Sequence, residues 1–319
     1  MEGRESYERS HARREQRRRT VRRRRRIAGA VAACAVAGIV VALAGSGGGS
    51  KTPLPARSAK SKTVAVAHTG APVDRCLAPY RLERAPILEY HVIAQAPAGA
   101  PFPLLYVSPA LFAEQMQALA RDGYHAVTLD QLWANWHEHR RLPCGKPIVI
   151  SFDNGYETQF QYAAPVLKKL GWVGVENLQL TGLSWANGGI SHHEIRELIH
   201  RDGWELDTQG YDHSAMVGLT ASELRFQTAT TRRKIQRLFD VPVNWFCYPS
   251  GEYDPTVIAA LQAAGFRGST TEYYGWAGAN DDPYALPRME VHPTQDPAVL
   301  VSDVAAMRSD PPPPDSGSH

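Results

Sequence analysis

Pro147-Ile148-Val149-Ile150-Ser151-Phe152-Asp153-Asn154-Gly155-Tyr156 decides the fold. Its first six residues form a run rich in β-branched side chains, without the polar alternation of a half-exposed strand. That is the mark of a strand buried on both faces. Two covered faces need layers on both sides, which parallel sheets built from βα units supply. The run ends on a carboxylate and then on Asn-Gly, a turn pair. A turn alone would account for Asn154-Gly155. A carboxylate directly after an apolar strand costs desolvation unless it is satisfied, so Asp153 is read as functional.

Working outward, the same alternation recurs. Strands are predicted at 86–91, 124–128, 174–180, 204–207, 244–248, 266–269 and 286–291. Helices are predicted between them. Ser108-Pro109 supplies an N-cap with Pro at N1, and Gln131 to His139 is a further helix. Another spans Phe160 to Leu170. Ser191 with Glu194, and Thr220 with Glu223, have capping-box spacing, and Asp254-Pro255 opens one more helix. These eight strands with intervening helices predict an α/β fold, a distorted (β/α) barrel of about seven to eight parallel strands. No repeat of 20–50 residues is visible.

The formal net charge of +3 hides an uneven distribution. Residues 1–26 carry 12 Arg against 4 Glu, a net +8; residues 27–75 carry +4, which leaves −9 for 76–319. The basic charge thus lies outside the globular part, and no nucleic-acid partner is expected. Ile27 to Ala44 is an uncharged run of 18 residues directly after five consecutive Arg, Arg22 to Arg26. As a helix it spans roughly 27 Å, close to the hydrocarbon core of a bilayer. With the positive-inside rule this predicts a transmembrane anchor over 27–45, the N-terminus cytoplasmic and the rest extracellular at the cell membrane. A cleaved signal peptide ending at Ala42-Leu43-Ala44 is the rival, and Val31-Ala32-Ala33-Cys34 is an accidental match to a lipoprotein box. The basic tail 1–26 reads first as a topology determinant and second as a partner for anionic lipid. A flexible linker is predicted over 46–75, one globular domain over 76–308 and a Pro-rich disordered tail over 309–319. Outside the membrane disulfides persist, and Cys76 and Cys144, each leading into an apolar strand, are predicted to pair. Cys247 reads as a buried free thiol.

In such folds chemistry collects where strands end. Four places qualify: Tyr90-His91, Asp153-Asn154-Gly155-Tyr156, the segment Asp207 to Ser214, and Cys247-Tyr248-Pro249-Ser250-Gly251. Each has a bland reading. His213 alone is more often a hydrogen-bonded structural residue than a ligand, and His91 is ambiguous on the same grounds. Tyr248 to Gly251 alone is a turn, His192-His193 is surface, and Arg232-Arg233-Lys234 with Arg237 is most simply a solvated helix face.

Together and in this order, the four places resemble the polysaccharide deacetylase family, also called carbohydrate esterase family four. The resemblance covers residues 85–292 and is closest to the permuted form in which the Tyr-His strand comes first. Phe152-Asp153-Asn154-Gly155-Tyr156 is similar to the F-D-D-G-Y motif, and Gln209-Gly210-Tyr211-Asp212-His213 to H-T-x-x-H. Phe246 to Gly251 is similar to the Y-P-x-G groove motif, and Leu286-Pro287-Arg288 to a downstream L-P-R segment. The resemblance implies hydrolysis of N-acetyl groups on a polysaccharide or peptidoglycan, with a divalent metal, usually Zn, activating water. Carried over by position, Asp153 is the base and His91 the acid. The Tyr248 backbone N–H faces the oxyanion. Tyr156, Pro249, Gly251 and Arg288 line the substrate groove. The metal positions fall on Asn154, Gln209 and His213.

Two of those three depart from the family pattern, since Asn154 replaces an Asp and Gln209 a His. Neutral amides are poor zinc ligands beside carboxylate or imidazole. Asp207 or Asp212 lies close in sequence and would complete a hard-ligand site for a weaker ion. Three functional readings follow: a membrane-anchored extracellular deacetylase of cell-envelope glycans, metal-dependent if active; a catalytically impaired glycan-binding pseudoenzyme; and an envelope scaffold.

Overall fold

Strand β3, Lys146–Asn154, is the spine of the sheet in the computed structural model, which describes residues 76–100, 102–181 and 188–309. Apart from its lysine every residue of β3 is buried, as a continuous apolar run requires. The basic segment 1–26, the anchor predicted at 27–45, the linker 46–75 and residues 310–319 lie outside the described residues. No helix among the described residues is long and apolar enough to cross a membrane.

The strands around β3 are β1 (Ala85–Tyr90), β2 (Tyr124–Ala126), β4 (Val175–Leu178), β5 (Glu205–Thr208), β6 (Trp245–Cys247), β7 (Gly268–Thr270), β8 (Trp276–Ala277) and β9 (Met289–Glu290). They form one sheet in the order β7-β6-β5-β4-β3-β1-β8, with β2 added on β3 and β9 on β1. All pairings are parallel except β1 with β8. Tyr90 stands beside Phe152, Asp153 beside Asn177, and Asn177 beside Asp207. The register therefore brings the C-terminal ends of β1, β3, β4 and β5 to one rim.

The sheet is a curled half-barrel rather than the barrel expected from eight strands. The strand predicted at 286–291 is interrupted. Leu286 makes one bridge to Thr270, and pairing resumes only at Met289 beside Leu88. Between them Pro287 has no N–H, and the Arg288 N–H turns away to the Tyr273 carbonyl at 2.7 Å. The ladder is broken at those two residues. Strand β8 and a C-terminal helix are further elements that the sequence pattern did not announce.

The helices begin where their caps dictate. Helix α1 (Pro109–Arg121) follows Ser108, whose hydroxyl accepts from the Leu111 N–H. Helix α2 (Leu129–Glu138) starts at a Thr128–Gln131 capping box, two residues before the predicted start. Helix α3 (Ala164–Lys169) is entered through a π-helical turn, Gln159–Ala163. Helix α4 (His192–His200) has the Ser191–Glu194 box and α5 (Ala221–Arg225) the Thr220–Glu223 box. A second π-helical turn leads from α5 into α6 (Thr231–Phe239). Asp254 caps α7 (Pro255–Ala264), and Asp296 caps α8 (Pro297–Ala306).

Period-2 alternation divides β3 between two cores. Ile148, Ile150 and Phe152 join Leu88, Tyr90 and the helix faces, including Phe112, Met116 and Leu167. Val149 joins Ile87, Val175 and Trp245 on the other face, closed by Leu129, Leu132 and Trp136 of α2. Past Val149 that second face turns polar, with Ser151 and then Asp153, both fully buried. The site is thus the upper end of the inner core.

A disulfide joins Cys76 to Cys144, with Cα atoms 5.4 Å apart. It staples the first described residues to the approach to β3, beside backbone bonds from Ala78 N to Leu142 O and from Cys144 N to Cys76 O. The bridge closes a loop of 68 residues, which in the chain-entropy account stabilises by about 4 kcal/mol. Replacing both cysteines by serine is expected to lower Tm by several degrees in a thermal melt. An unchanged Tm would show that the staple leaves global stability untouched.

Candidate active site

Asp153 lies at the centre of the polar end of the inner core and is fully buried. Its Oδ1 accepts from Asn177 Nδ2 at 2.8 Å and from Arg288 Nη1 at 2.8 Å. Its Oδ2 accepts from Arg288 Nη2 at 3.1 Å, Gln209 Nε2 at 3.2 Å and the Cys247 thiol at 3.2 Å. This is a bidentate guanidinium–carboxylate pair, the strong form of the interaction. Burial alone would raise the Asp153 carboxyl. The Arg288 charge, His91 and the hydrogen bonds from Arg288 and Asn177 outweigh it and hold the pKa at about 2.

Arg288 was expected along the substrate groove; the structure corrects this. Its side chain is 1% exposed. Besides Asp153 it donates to the Thr271 carbonyl and approaches Glu89 Oε2 at 3.1 Å. The break in the ladder frees residue 288 to turn inward. Burial pushes the Glu89 carboxyl well above its ordinary range, against the pull of Arg288. Arg288 thus faces two buried carboxyl groups, of which Asp153 is the one held ionised.

His91 follows Glu89 by two residues, so both side chains leave the same side of β1. Its Nε2 stands 3.5 Å from Glu89 Oε1, and its side chain is 11% exposed. It is the partly open edge of an otherwise buried cluster. Gln159, in the π-helical turn, ties the rim together. Its Nε2 donates to the carbonyls of His91 and Asp153, and its Oε1 accepts from the Tyr156 N–H. Irregular turns of this kind recur at functional sites.

The three metal positions come together only in part. Asn154 has φ +77 and Gly155 φ +82, so the chain makes two left-handed residues in succession. Asn tolerates that conformation, and at position 155 an added Cβ would stand 2.7 Å from Leu178 Cδ1. This turn aims Asn154 at Gln209, and Asn154 Nδ2 donates to Gln209 Oε1 at 2.8 Å. Gln209 is thereby engaged at both ends, its carbonyl by Asn154 and its Nε2 by Asp153. His213, half-buried at φ +59, is the one strong ligand left of the set. The neighbouring carboxylates do not replace the missing ones. Asp207 accepts from the N–H groups of Asn244 and Trp245, and Asp212 from Ser214 and Gln227. Glu89, His91 and Asp153 do form a cluster whose ligand atoms lie within 4.8 Å of one another. The Arg288 guanidinium, however, already contacts both carboxylates, so a divalent cation would meet a fixed positive charge. Neither donor set fits a tightly held divalent metal.

Tyr248 and the turn after it also differ from expectation. The Tyr248 N–H, assigned to an oxyanion, donates instead to the Thr270 carbonyl at 3.3 Å. Its hydroxyl reaches the Tyr284 carbonyl, and its ring stacks on Tyr253 at 4.6 Å. Pro249 is buried, while Gly251 and Tyr156 are half-buried at the rim. Cys247 is free, and burial raises its thiol, so it donates as S–H. Sequence reasoning missed Glu89, Asn177 and Gln159. Glu89 carried a signal, a carboxylate inside the apolar run Pro86 to Tyr90. Gln159 and Asn177 carried none, because their partners are set by register and by a π-helical turn.

Comparisons with known proteins bear on this geometry. Residues 141–269 match the model of the polysaccharide deacetylase family. That stretch holds Asp153, Asn154, Gln209, His213 and Cys247, but neither His91 nor Arg288. A Bacillus subtilis (strain 168) protein that carries a polysaccharide deacetylase name, YxkH, is 28% identical over 211 residues, covering 65% of this chain and 71% of that protein. Among solved structures, the Streptococcus pyogenes deacetylase PplD in complex with acetate is similar with a TM-score of 0.64 at 21% identity, covering 70% of this chain and 99% of that one. IcaB from Ammonifex degensii is similar with a TM-score of 0.58 at 23% identity, covering 69% and 97%. At these identities the structural likeness establishes the fold.

Removing one partner of a buried ion pair strands the other. Arg288→Met is therefore expected to cost about 3–5 kcal/mol in urea unfolding. Asp153→Asn combined with it should cost much less than the two single losses added. Because the Asp153 pKa falls from 3.8 to about 2 on folding, its contribution is present above pH 3.8 and lost as pH drops toward 2. Additive losses in the double variant would refute the pairing.

Proposed function

We propose that this chain, which belongs to the polysaccharide deacetylase family, is a cell-envelope member of it that binds N-acetylated polysaccharide or peptidoglycan and hydrolyses N-acetyl groups at a site with altered metal positions. The observation that carries this is the gathering of Asp153, His91 and the Asn154–Gln209 pair at one rim. Asp153 holds a fixed negative charge at neutral pH, and His91 is the one cluster member with an open face, from which a proton can pass to a leaving amine. A permanently ionised carboxylate is a weak base, so the intrinsic rate is low.

Placement in the envelope is part of the same proposal. It rests on Arg22 to Arg26 before the apolar run 27–45, and is supported by a disulfide, which belongs to an oxidising compartment. The domain scheme is a cytoplasmic tail 1–26, an anchor 27–45, a linker 46–75 and an outer domain 76–308, with anionic lipid as a partner of the tail.

A second reading, glycan binding without turnover, is favoured by the mutual satisfaction of Asn154 and Gln209. Acetate release from N-acetylglucosamine oligomers, with and without added Zn, Mn or Co, decides between them. The wild-type chain is expected to release acetate slowly and with little response to metal. The variant Asn154→Asp/Gln209→His is expected to bind one divalent ion and to release acetate at least about tenfold faster, since metal activation of water is worth several kcal/mol. Glycan binding with no acetate from wild type under any condition would overturn the hydrolase and leave the binding protein.

A further inference from the structure

The segment that carries Gln209 and His213 has a second side. Leu180 and Thr181, just past β4, are held to it by bonds from Leu180 N to Gly210 O at 3.2 Å and from Thr181 N to Tyr211 O at 2.8 Å. Gly210 takes φ +86, and an added Cβ there would stand 3.0 Å from Gln227 Oε1. Gln227 in turn accepts from the Tyr211 N–H at 2.7 Å. The turn is thereby fixed, with Gln209 directed to Asp153 and Tyr211 outward to a cavity of about 440 Å³.

Cations line that cavity. Lys234 and Arg237 of α6 and His192 at the start of α4 face it together with Tyr211 and Leu238. Among the described residues no carboxylate forms an ion pair with Lys234 or Arg237. Lys234 Nζ instead sits 4.8 Å from the centre of the Tyr211 ring and 5.6 Å from that of Phe226. The two rings pack against each other at 4.6 Å. Phe226 and Leu238 remain 38% exposed, large apolar surfaces at the edge of a charged cavity. In a globular part of net charge −9, α6 has four basic residues and no acidic one. A solvated helix face explains the charges. It does not explain why two unpaired cations, an imidazole and an aromatic platform converge on one cavity beside the site.

The geometry points to a subsite for an oxyanion on a sugar: the apolar face of a pyranose packs on Tyr211, backed by Phe226, and a carboxylate or phosphate on that glycan is held by Lys234 and Arg237. Aromatic faces take up the C–H faces of sugar rings, and a lysine already over a ring loses little freedom on binding. The cavity shares the 209–213 turn with the candidate active site. The inference rests on the polysaccharide reading above and narrows it to an acidic glycan.

The test is equilibrium binding of the full chain to three oligosaccharides of equal length. One is a neutral N-acetylglucosamine oligomer, one alternates with N-acetylmuramic acid and so carries carboxylates, and one carries phosphodiesters. At low salt the anionic oligomers are expected to bind about tenfold tighter than the neutral one, the scale of two charge-assisted contacts, one half-exposed at Lys234 and one exposed at Arg237. Raising the salt should erase the advantage. Lys234→Gln/Arg237→Gln should reduce the anionic oligomers to the neutral affinity and leave the neutral affinity unchanged. The better of the two anionic oligomers identifies the oxyanion. Equal binding of neutral and anionic oligomers, or an unaffected double variant, overturns the subsite and leaves the polysaccharide reading standing. Binding of none of the three overturns the polysaccharide reading and the subsite with it.

Discussion

The buried pair of Asp153 and Arg288 is the constraint on which the rest of the site depends. A carboxylate at the end of a strand buried on both faces must either give up its charge or find a cation. Here the cation arrives from the far end of the chain, through a break in the strand ladder at Pro287 and Arg288. The charge of the site thus depends on one local feature, a proline followed by an arginine that turns inward.

Fixing Asp153 as an anion determines what its neighbours do. Asn177, Gln209 and Cys247 present donors to it. Glu89, the second carboxyl within reach of Arg288, is driven toward its neutral form by burial. Gln209 then has only its carbonyl end to offer, and Asn154 takes it. What would be a ligand set in a family pattern of Asp and two His is here a closed chain of neutral amide hydrogen bonds ending on a guanidinium-paired carboxylate. Each link of that chain is made by an amide or by the guanidinium, and hydrogen-bonded polar networks in low dielectric are rigid.

Much of this was legible in the sequence. The double burial of β3 followed from an unbroken apolar run, and the helix starts followed from Ser108, Ser191, Thr220 and Asp254. The motif order pointed to the family, and Asn154 and Gln209 showed that the ligand set had changed. What sequence did not carry was direction. Arg288 reads as a groove residue until the lost ladder bond turns it inward. The Tyr248 N–H reads as free until the register of β6 on β7 assigns it to Thr270. Asp207 and Asp212 read as spare ligands until their backbone and side-chain partners are known. The basic face of α6 looked merely solvated, because its convergence with Tyr211 and His192 depends on how two helices and a turn meet.

The central claim is that the positions expected to hold a metal are closed by amides and that Arg288 supplies the positive charge instead. Elemental analysis of the wild-type chain, loaded with excess zinc and then dialysed, tests it most directly. Well under one zinc per chain is the result this account predicts. One zinc retained per chain, lost on His213→Ala, would contradict it.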